Sequence, residues 1–266
     1  MQPGIRLASL STWRPNTSVP TGSGDRWADD YERGRPGYPA AVVDVARATR
    51  PAAVLDLGAG TGKLTRLLVD AFDAVFAVEP AAEMRRVLAA RSPAARVLAG
   101  SAEEIPLADA SVDAVFAAES FHWFDGGRAL AEIARVLRAR GALMMLWNLP
   151  AGPTRPSIAR VEEFLLERAP AGLAYDPLDL NAERYASGQW RAGFGGSGFG
   201  ELREARLPNP QTLDRDGLVA FFASMGWVGD LPDADRLPLL DELRSLLPAA
   251  EYTRPWETHV CWTTVP

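Results

Sequence analysis

The chain has 266 residues, 47% of them hydrophobic and 23% charged, with a formal net charge of −6. That length can bury a full core in one large domain, and an acidic balance with no basic run and no aromatic–basic interleaving argues against a nucleic-acid partner. A single cysteine, Cys261, excludes an internal disulfide and a thiolate metal cluster; with only His122 and His259 besides, no metal is expected.

Residues 1–24 are rich in Ser, Thr, Pro and Gly and lack an apolar leader core, so they read as a disordered arm ahead of one domain spanning 25–266. No run of about 18 apolar residues occurs, and the expected setting is soluble, cytoplasmic and away from a membrane. Order resumes at Asp25. Tyr31 and Arg35 lie four apart, just before the prolines that start a helix over Ala40–Thr49. An apolar strand, Ala53–Leu57, carries Asp56 and runs into Gly58-Ala59-Gly60-Thr61-Gly62. Leu64, Leu67, Leu68 and Phe72 then space a helix over Lys63–Phe72. Glycines let the chain take positive φ and bring its amides close to a ligand, and the helix N-terminus offers more donors. Strand, glycine turn and helix together predict a nucleotide-type cofactor site. The spacing differs from Gly-x-Gly-x-x-Gly, and Lys63 does not complete a phosphate loop, so a dinucleotide is disfavoured. Asp56 at the mouth suits a ligand carrying an ammonium group.

The next strand, Ala74–Val78, ends in Glu79, 19 residues beyond Gly60, where an acid would accept hydrogen bonds from both ribose hydroxyls. Pro80 follows, and Met84 is placed to flank an adenine. A strand over Arg96–Ala99 leads into Ser101, Ala102 and Glu103. A fourth, Val112–Ala117, opens onto Glu119, Phe121, His122, Trp123 and Phe124, at the strand ends where ligands of open α/β sheets bind. Gly127–Arg140 reads as a helix stopped by Gly141, and Ala142–Trp147 as a fifth strand before Asn148. Five alternations predict a doubly wound, mostly parallel sheet. Pro150–Pro156 breaks the alternation, and Ile158–Arg168 is amphipathic. Tyr175–Gly200 is loop-rich. A strand over Glu201–Leu207, helices near Leu213–Met225 and Ala234–Leu247, and a last strand over Glu257–Val265 complete the chain.

The run Asp56-x-Gly58-x-Gly60-x-Gly62 resembles the first motif of class I S-adenosylmethionine-dependent methyltransferases. Tyr31-x-x-x-Arg35-Pro36-x-Tyr38-Pro39, the Phe121–Phe124 cluster and the strand around His259 resemble a branch of the type 11 methyltransferases that includes trans-aconitate methyltransferases. The resemblance implies a Rossmann-like seven-stranded α/β sheet with helices on both faces and a small helical and loop cap inserted at about 150–200. It implies S-adenosylmethionine as cofactor and S-adenosylhomocysteine as product. Asp56, Gly58, Ala59, Gly60, Gly62, Glu79, Pro80, Met84, Ser101, Ala102, Glu103 and Glu119 would surround the cofactor, with Tyr31 and Arg35 closing over it. In the family the adenine edge meets a side chain and a backbone amide; many members put Asp where this chain has Ser101.

Methyl transfer to a small molecule follows as the expected activity, at an oxygen of a carboxylate or hydroxyl, by a monomer or homodimer. Tyr31, Arg35, Phe121, His122, Trp123, Trp147 and Asn148 are the candidate substrate contacts, with Arg35 able to meet a carboxylate through its planar fork. His122 is the candidate base or positioning group, and Glu119 a second candidate; a packed His122 is an equal reading. Two alternatives stand beside this activity: a nicotinamide-dependent oxidoreductase and a non-catalytic S-adenosylmethionine-binding protein.

Overall fold

Seven strands form the main sheet in the order β3-β2-β1-β4-β5-β9-β6. The computed structural model describes residues 25–47, 51–153, 155–173, 178 and 185–266, so the expected arm at 1–24 and most of 174–184 lie outside the described residues. The strands are β1 (Ala53–Leu57), β2 (Ala74–Val78), β3 (Arg96–Leu98), β4 (Val112–Ala118), β5 (Leu137–Pro150), β6 (Arg203–Pro208) and β9 (Trp256–Thr264). β1 to β5 are parallel, and β9 runs antiparallel between β5 and β6. This is the mostly parallel Rossmann-like sheet expected.

Side chains alternate across a strand, and the two faces sort accordingly. Leu55, Leu57, Val115, Ala117, Leu143, Met145 and Trp147 join one core with α5 (Gly126–Val136). Val54, Ala114, Phe116, Met144 and Leu146 join the other with α2 (Ala41–Arg47) and α3 (Lys63–Val69). Strands buried on both faces are nearly continuous apolar runs, as β4 and β5 are.

Two boundaries differ from the sequence reading for a physical reason. The helix expected over Gly127–Arg140 ends at Val136, because Leu137 pairs with Val112 and starts β5. Gly141 is not a helix stop. It lies inside β5, where a Cβ would come within 2.8 Å of the Arg138 carbonyl oxygen and of Leu137.

A second apolar core stands apart from the sheet. It joins α6 (Pro156–Leu166) to α7 (Arg215–Ala223), α8 (Gly226–Gly229) and α9 (Asp233–Leu246), with the hairpin β7 (Gln211–Asp214) and β8 (Glu251–Arg254) alongside. Residues 156–166, from the stretch expected as a cap, thus pack with residues 215–246, and Leu213 belongs to a strand, not a helix. Between this unit and the sheet lies α1 (Asp25–Gly34), a helix the sequence reading passed over. Trp27, Ala28 and Tyr31 pack on Met84 and Val87 of α4 (Ala82–Arg91). Trp27 Nε1 donates to the Ser224 carbonyl at 3.0 Å, and Asp30 pairs with Arg236. Gly34 allows the closest approach: a Cβ there would lie 2.1 Å from the Phe221 amide nitrogen. No helix among the described residues is long and apolar enough to cross a membrane.

Candidate active site

At the carboxyl end of β1 the chain turns through Gly58, Gly60 and Gly62, at φ +69°, +57° and +86°. These are left-handed values that only glycine adopts without strain. The Gly58 and Ala59 amides donate to the Val78 carbonyl at 2.8 and 3.1 Å, tying the loop to β2. Glu79, which follows β2, bonds the loop from its other side. Its Oε2 accepts from the Gly60 amide and its Oε1 from the Ala81 amide, both at 2.9 Å. Burial raises the Glu79 carboxyl above its ordinary value, against the pull of those two amides. Each carboxylate oxygen keeps a further lone pair for a ligand hydroxyl. A Cβ built on Gly60 meets nothing within 4 Å, so one side of the loop faces open space.

Asp56 is not at the mouth. It is 1% exposed beneath the loop, with Oδ2 accepting from Thr65 Oγ1 at 2.6 Å and Oδ1 without a hydrogen-bond partner among the described residues. Burial, opposed by the Thr65 bond and reinforced by the Glu79 charge, pushes its carboxyl up to about 7. An orphaned buried acceptor beneath a loop with an open glycine face fits a ligand that brings its own donors, as a cationic, ribose-bearing cofactor does.

The loop is covered by α1. Glu32 Oε2 accepts from Thr61 Oγ1 at 2.7 Å, its Oε1 meets Arg66 at 2.8 Å, and its backbone carbonyl accepts from Lys63 Nζ at 2.6 Å. The meeting of Glu32 with Thr61 and Lys63 is not visible in the sequence, because it depends on a helix docking from 29 residues away. Tyr31 packs on Trp27, with ring centroids 5.7 Å apart. Arg35 donates from Nε to Ser224 Oγ at 2.8 Å and lies over the Tyr31 and Phe221 rings, so it braces α1 against α7. Met84 is 4% exposed under Trp27, and Pro80 is exposed.

At the end of β4, Glu119 adopts φ +53°, an uncommon conformation for a side-chain-bearing residue and the kind of strain that collects at functional sites. Its Oε1 accepts from the Asn148 amide at 2.5 Å. The Asn148 side chain is a brace, bonded to the Gly37 carbonyl, Asn209 and Thr258. Tyr38 joins this group: burial first, then Glu119, Tyr31 and Asp56, hold its phenol well above its ordinary value. Tyr38 was visible in the Tyr-x-x-x-Arg-Pro-x-Tyr-Pro motif but carried no assigned role.

The aromatic cluster is mostly core. Phe121 is 2% exposed against Phe124, Phe194 and Trp190. Trp147 is fully buried, tilted against Trp190 with ring centroids 4.8 Å apart, and donates from Nε1 to His122 Nδ1 at 3.1 Å. Phe121 and Trp147 are thus packed in the core beneath the strand ends. An indole nitrogen can only donate, so Nδ1 of His122 is the acceptor and the neutral ring carries its proton on Nε2. Trp123 stands half-buried beside it, at 5.1 Å between centroids. Of the predicted adenine contacts, Ala102 is buried, Ser101 bridges to Glu104, and Glu103 accepts from the Asp125 amide at 2.9 Å, where α5 begins.

A family model described as a methyltransferase domain matches residues 55–145, from within β1 into β5. An uncharacterized methyltransferase-like protein of Schizosaccharomyces pombe is 33% identical over 244 residues, covering 89% of this chain and 90% of its own. The chain belongs to the methyltransferase family. S-Adenosylmethionine is the cofactor of these enzymes, and the oxidoreductase alternative falls away. An uncharacterized methyltransferase of Mycobacterium tuberculosis is 53% identical over 118 residues; the match covers 44% of this chain and 49% of that protein, so the chain spans about half the length of that relative. Among solved structures, a protein assigned as a type II methyltransferase from Anaeromyxobacter dehalogenans superposes with a TM-score of 0.60 at 25% identity, covering 86% of this chain and 96% of its own. The trans-aconitate methyltransferase branch does not emerge from these relatives.

Proposed function

We propose that this methyltransferase acts on a small molecule, at an oxygen of a carboxylate or hydroxyl. The observation that carries the proposal is the open face of Gly60 beside Glu79, at the carboxyl edge of the sheet and next to the strained Glu119. S-Adenosylmethionine, when bound, supplies an electrophilic methyl group on a sulfonium. The open face of the Gly58–Gly62 loop would lie against it, Glu79 would take the ribose hydroxyls, and the Ser101–Glu103 turn would meet the adenine. Asp56 Oδ1 beneath the loop is an acceptor for the ammonium side.

What the chain's own residues contribute is positioning. α1 closes over the loop through Glu32, and Tyr38 and Glu119 interact at the far edge, where they would orient the acceptor. His122 is fixed by Trp147 as a hydrogen-bond donor. A carboxylate acceptor brings an oxygen that is already ionised near neutral pH, so no base is needed there. This supports oxygen methylation of an acid over an alcohol, which would benefit from a base.

The reading is tested by incubating the protein with S-adenosylmethionine and a panel of small acids and alcohols, following S-adenosylhomocysteine and the methylated product by mass. Methyl ester formation is the expected result. Tight cofactor binding with no S-adenosylhomocysteine from any acceptor would instead favour the non-catalytic binding protein.

A further inference from the structure

Beyond the β5 edge lies a cleft that cofactor binding does not use. Pro150, Arg155, Ile158, Arg254 and Trp256 line it. Pro150 pairs with Trp256 and stands two residues past Asn148, about 7 Å at the rise of a strand, so the cleft opens beside the Glu119–Asn148 pair.

Its chemistry is set by Arg254. The side chain is 5% exposed, with its guanidinium carbon 4.3 Å from the Phe221 ring centroid and 5.0 Å from that of Trp256. Nη2 donates to Glu162 Oε1 at 3.0 Å. Nη1 is buried and has no hydrogen-bond partner among the described residues. Burial lowers the guanidinium's pKa against the attraction of Glu162, and Arg35, which shares the Phe221 ring at 5.0 Å, adds to that lowering. Arg155 at the rim is exposed and pairs with no acid among the described residues. Two cations thus border the cleft, one of them bonded to Glu162 behind it.

A buried guanidinium with an unused N–H pair is costly until an acceptor completes it, and an oxyanion is the strongest one. We propose that Arg254 holds a carboxylate of the methyl acceptor, with Arg155 at the entrance; this deepens, and rests on, the methyl-transfer reading. Every charge taken out of water here is costly, and Glu162 repels a second negative charge, which favours a monoanionic carboxylate over a phosphate dianion. Because the cleft begins two strand residues beyond Asn148, the gripped carboxylate is a handle, separate from the oxygen that takes the methyl. The acceptor is then an acid with a second nucleophilic oxygen.

Calorimetry with succinate, dimethyl succinate and inorganic phosphate tests this, on the protein with and without S-adenosylhomocysteine. Succinate should bind, while its neutral ester and phosphate should not. The double variant Arg254→Met/Glu162→Met removes both charges without stranding either, and should lose at least about 10-fold in succinate affinity at unchanged S-adenosylhomocysteine affinity. If that variant does not fold, Arg254→Lys, which keeps a charge opposite Glu162 but loses the fork, should show the same loss. Absent succinate binding, equal affinity in the variants, or phosphate bound as well as succinate overturns the proposal. Succinate bound by a protein that ignores S-adenosylhomocysteine would uphold the subsite and overturn the cofactor site instead.

Discussion

Gly60 combines φ +57° with open space where a Cβ would stand, so substitution there is a test of the ligand's path. Gly60→Val should cost about 1–2 kcal/mol of stability from the left-handed backbone, yet lose S-adenosylmethionine affinity by about 100-fold or more. Unaltered affinity in calorimetry would dismiss the loop as the cofactor site. Asp56 gives a pH signature. Its carboxyl is near 7 when folded against 3.8 in an exposed chain, so the folded state is favoured most below pH 3.8, loses that advantage as pH rises, and levels off above about 7. The change is on the order of 4 kcal/mol at most. Asp56→Asn should therefore raise the melting temperature more at pH 8 than at pH 4; an equal effect at both would refute the burial argument. For His122, the proton on Nε2 makes the ring a donor. His122→Ala should raise KM and lower kcat by less than about 10²-fold, whereas steady-state kinetics showing a larger kcat loss at constant KM would restore it as a general base. The glycine spacing and the register of Glu79 were legible at this scale because both are local. How deep Asp56 sits was not, because depth is decided by the helix above it.

At the scale of elements, the parallel strands announced themselves as apolar runs between glycines. The α5–β5 junction misled: Leu137–Arg140 continues a helical spacing, but pairing with β4 at Val112 wins over local propensity. α1 was hidden differently, since only Trp27, Ala28 and Tyr31 mark its buried face among many charges. Gly34 is the position on which its docking turns. In Gly34→Ala the methyl would strike the backbone of Phe221, which cannot yield as a side chain would, so α1 must lift from α7. A loss of about 1–3 kcal/mol is expected, or several degrees in melting temperature for a chain of this size. Faster proteolysis near residue 35 should accompany it, with the sheet's circular dichroism kept. Unchanged protection would show that α1 docks without this contact.

Across the whole molecule, the sheet layers could be read from alternation alone, whereas the second core could not. Ile158 and Leu165 meet Leu218, Phe222 and Leu243 across more than 50 residues of chain, and no period in the sequence announces such a meeting. The same distance hides Arg254, which meets Pro150, Arg155 and Ile158 only once β8 folds back beside the end of β5. Much of the cofactor half is written in short motifs, while the acceptor half depends on distant segments being folded together.

Lys63 is the only lysine in the chain, and its ammonium is bound under α1 by the Glu32 carbonyl. Burial, despite the Glu32 charge, lowers its pKa to about 8 and at the same time keeps reagents from the nitrogen, so the amine reacts only when α1 uncovers it. The molecule thus carries a built-in reporter at its single lysine. An amine-directed reagent should modify Lys63 slowly in the native protein, more slowly still with S-adenosylhomocysteine, and rapidly in Gly34→Ala. Peptide mass mapping would read the modified fraction as the fraction of time that α1 is open. A labelling rate indifferent to both ligand and substitution would show that α1 does not guard the loop.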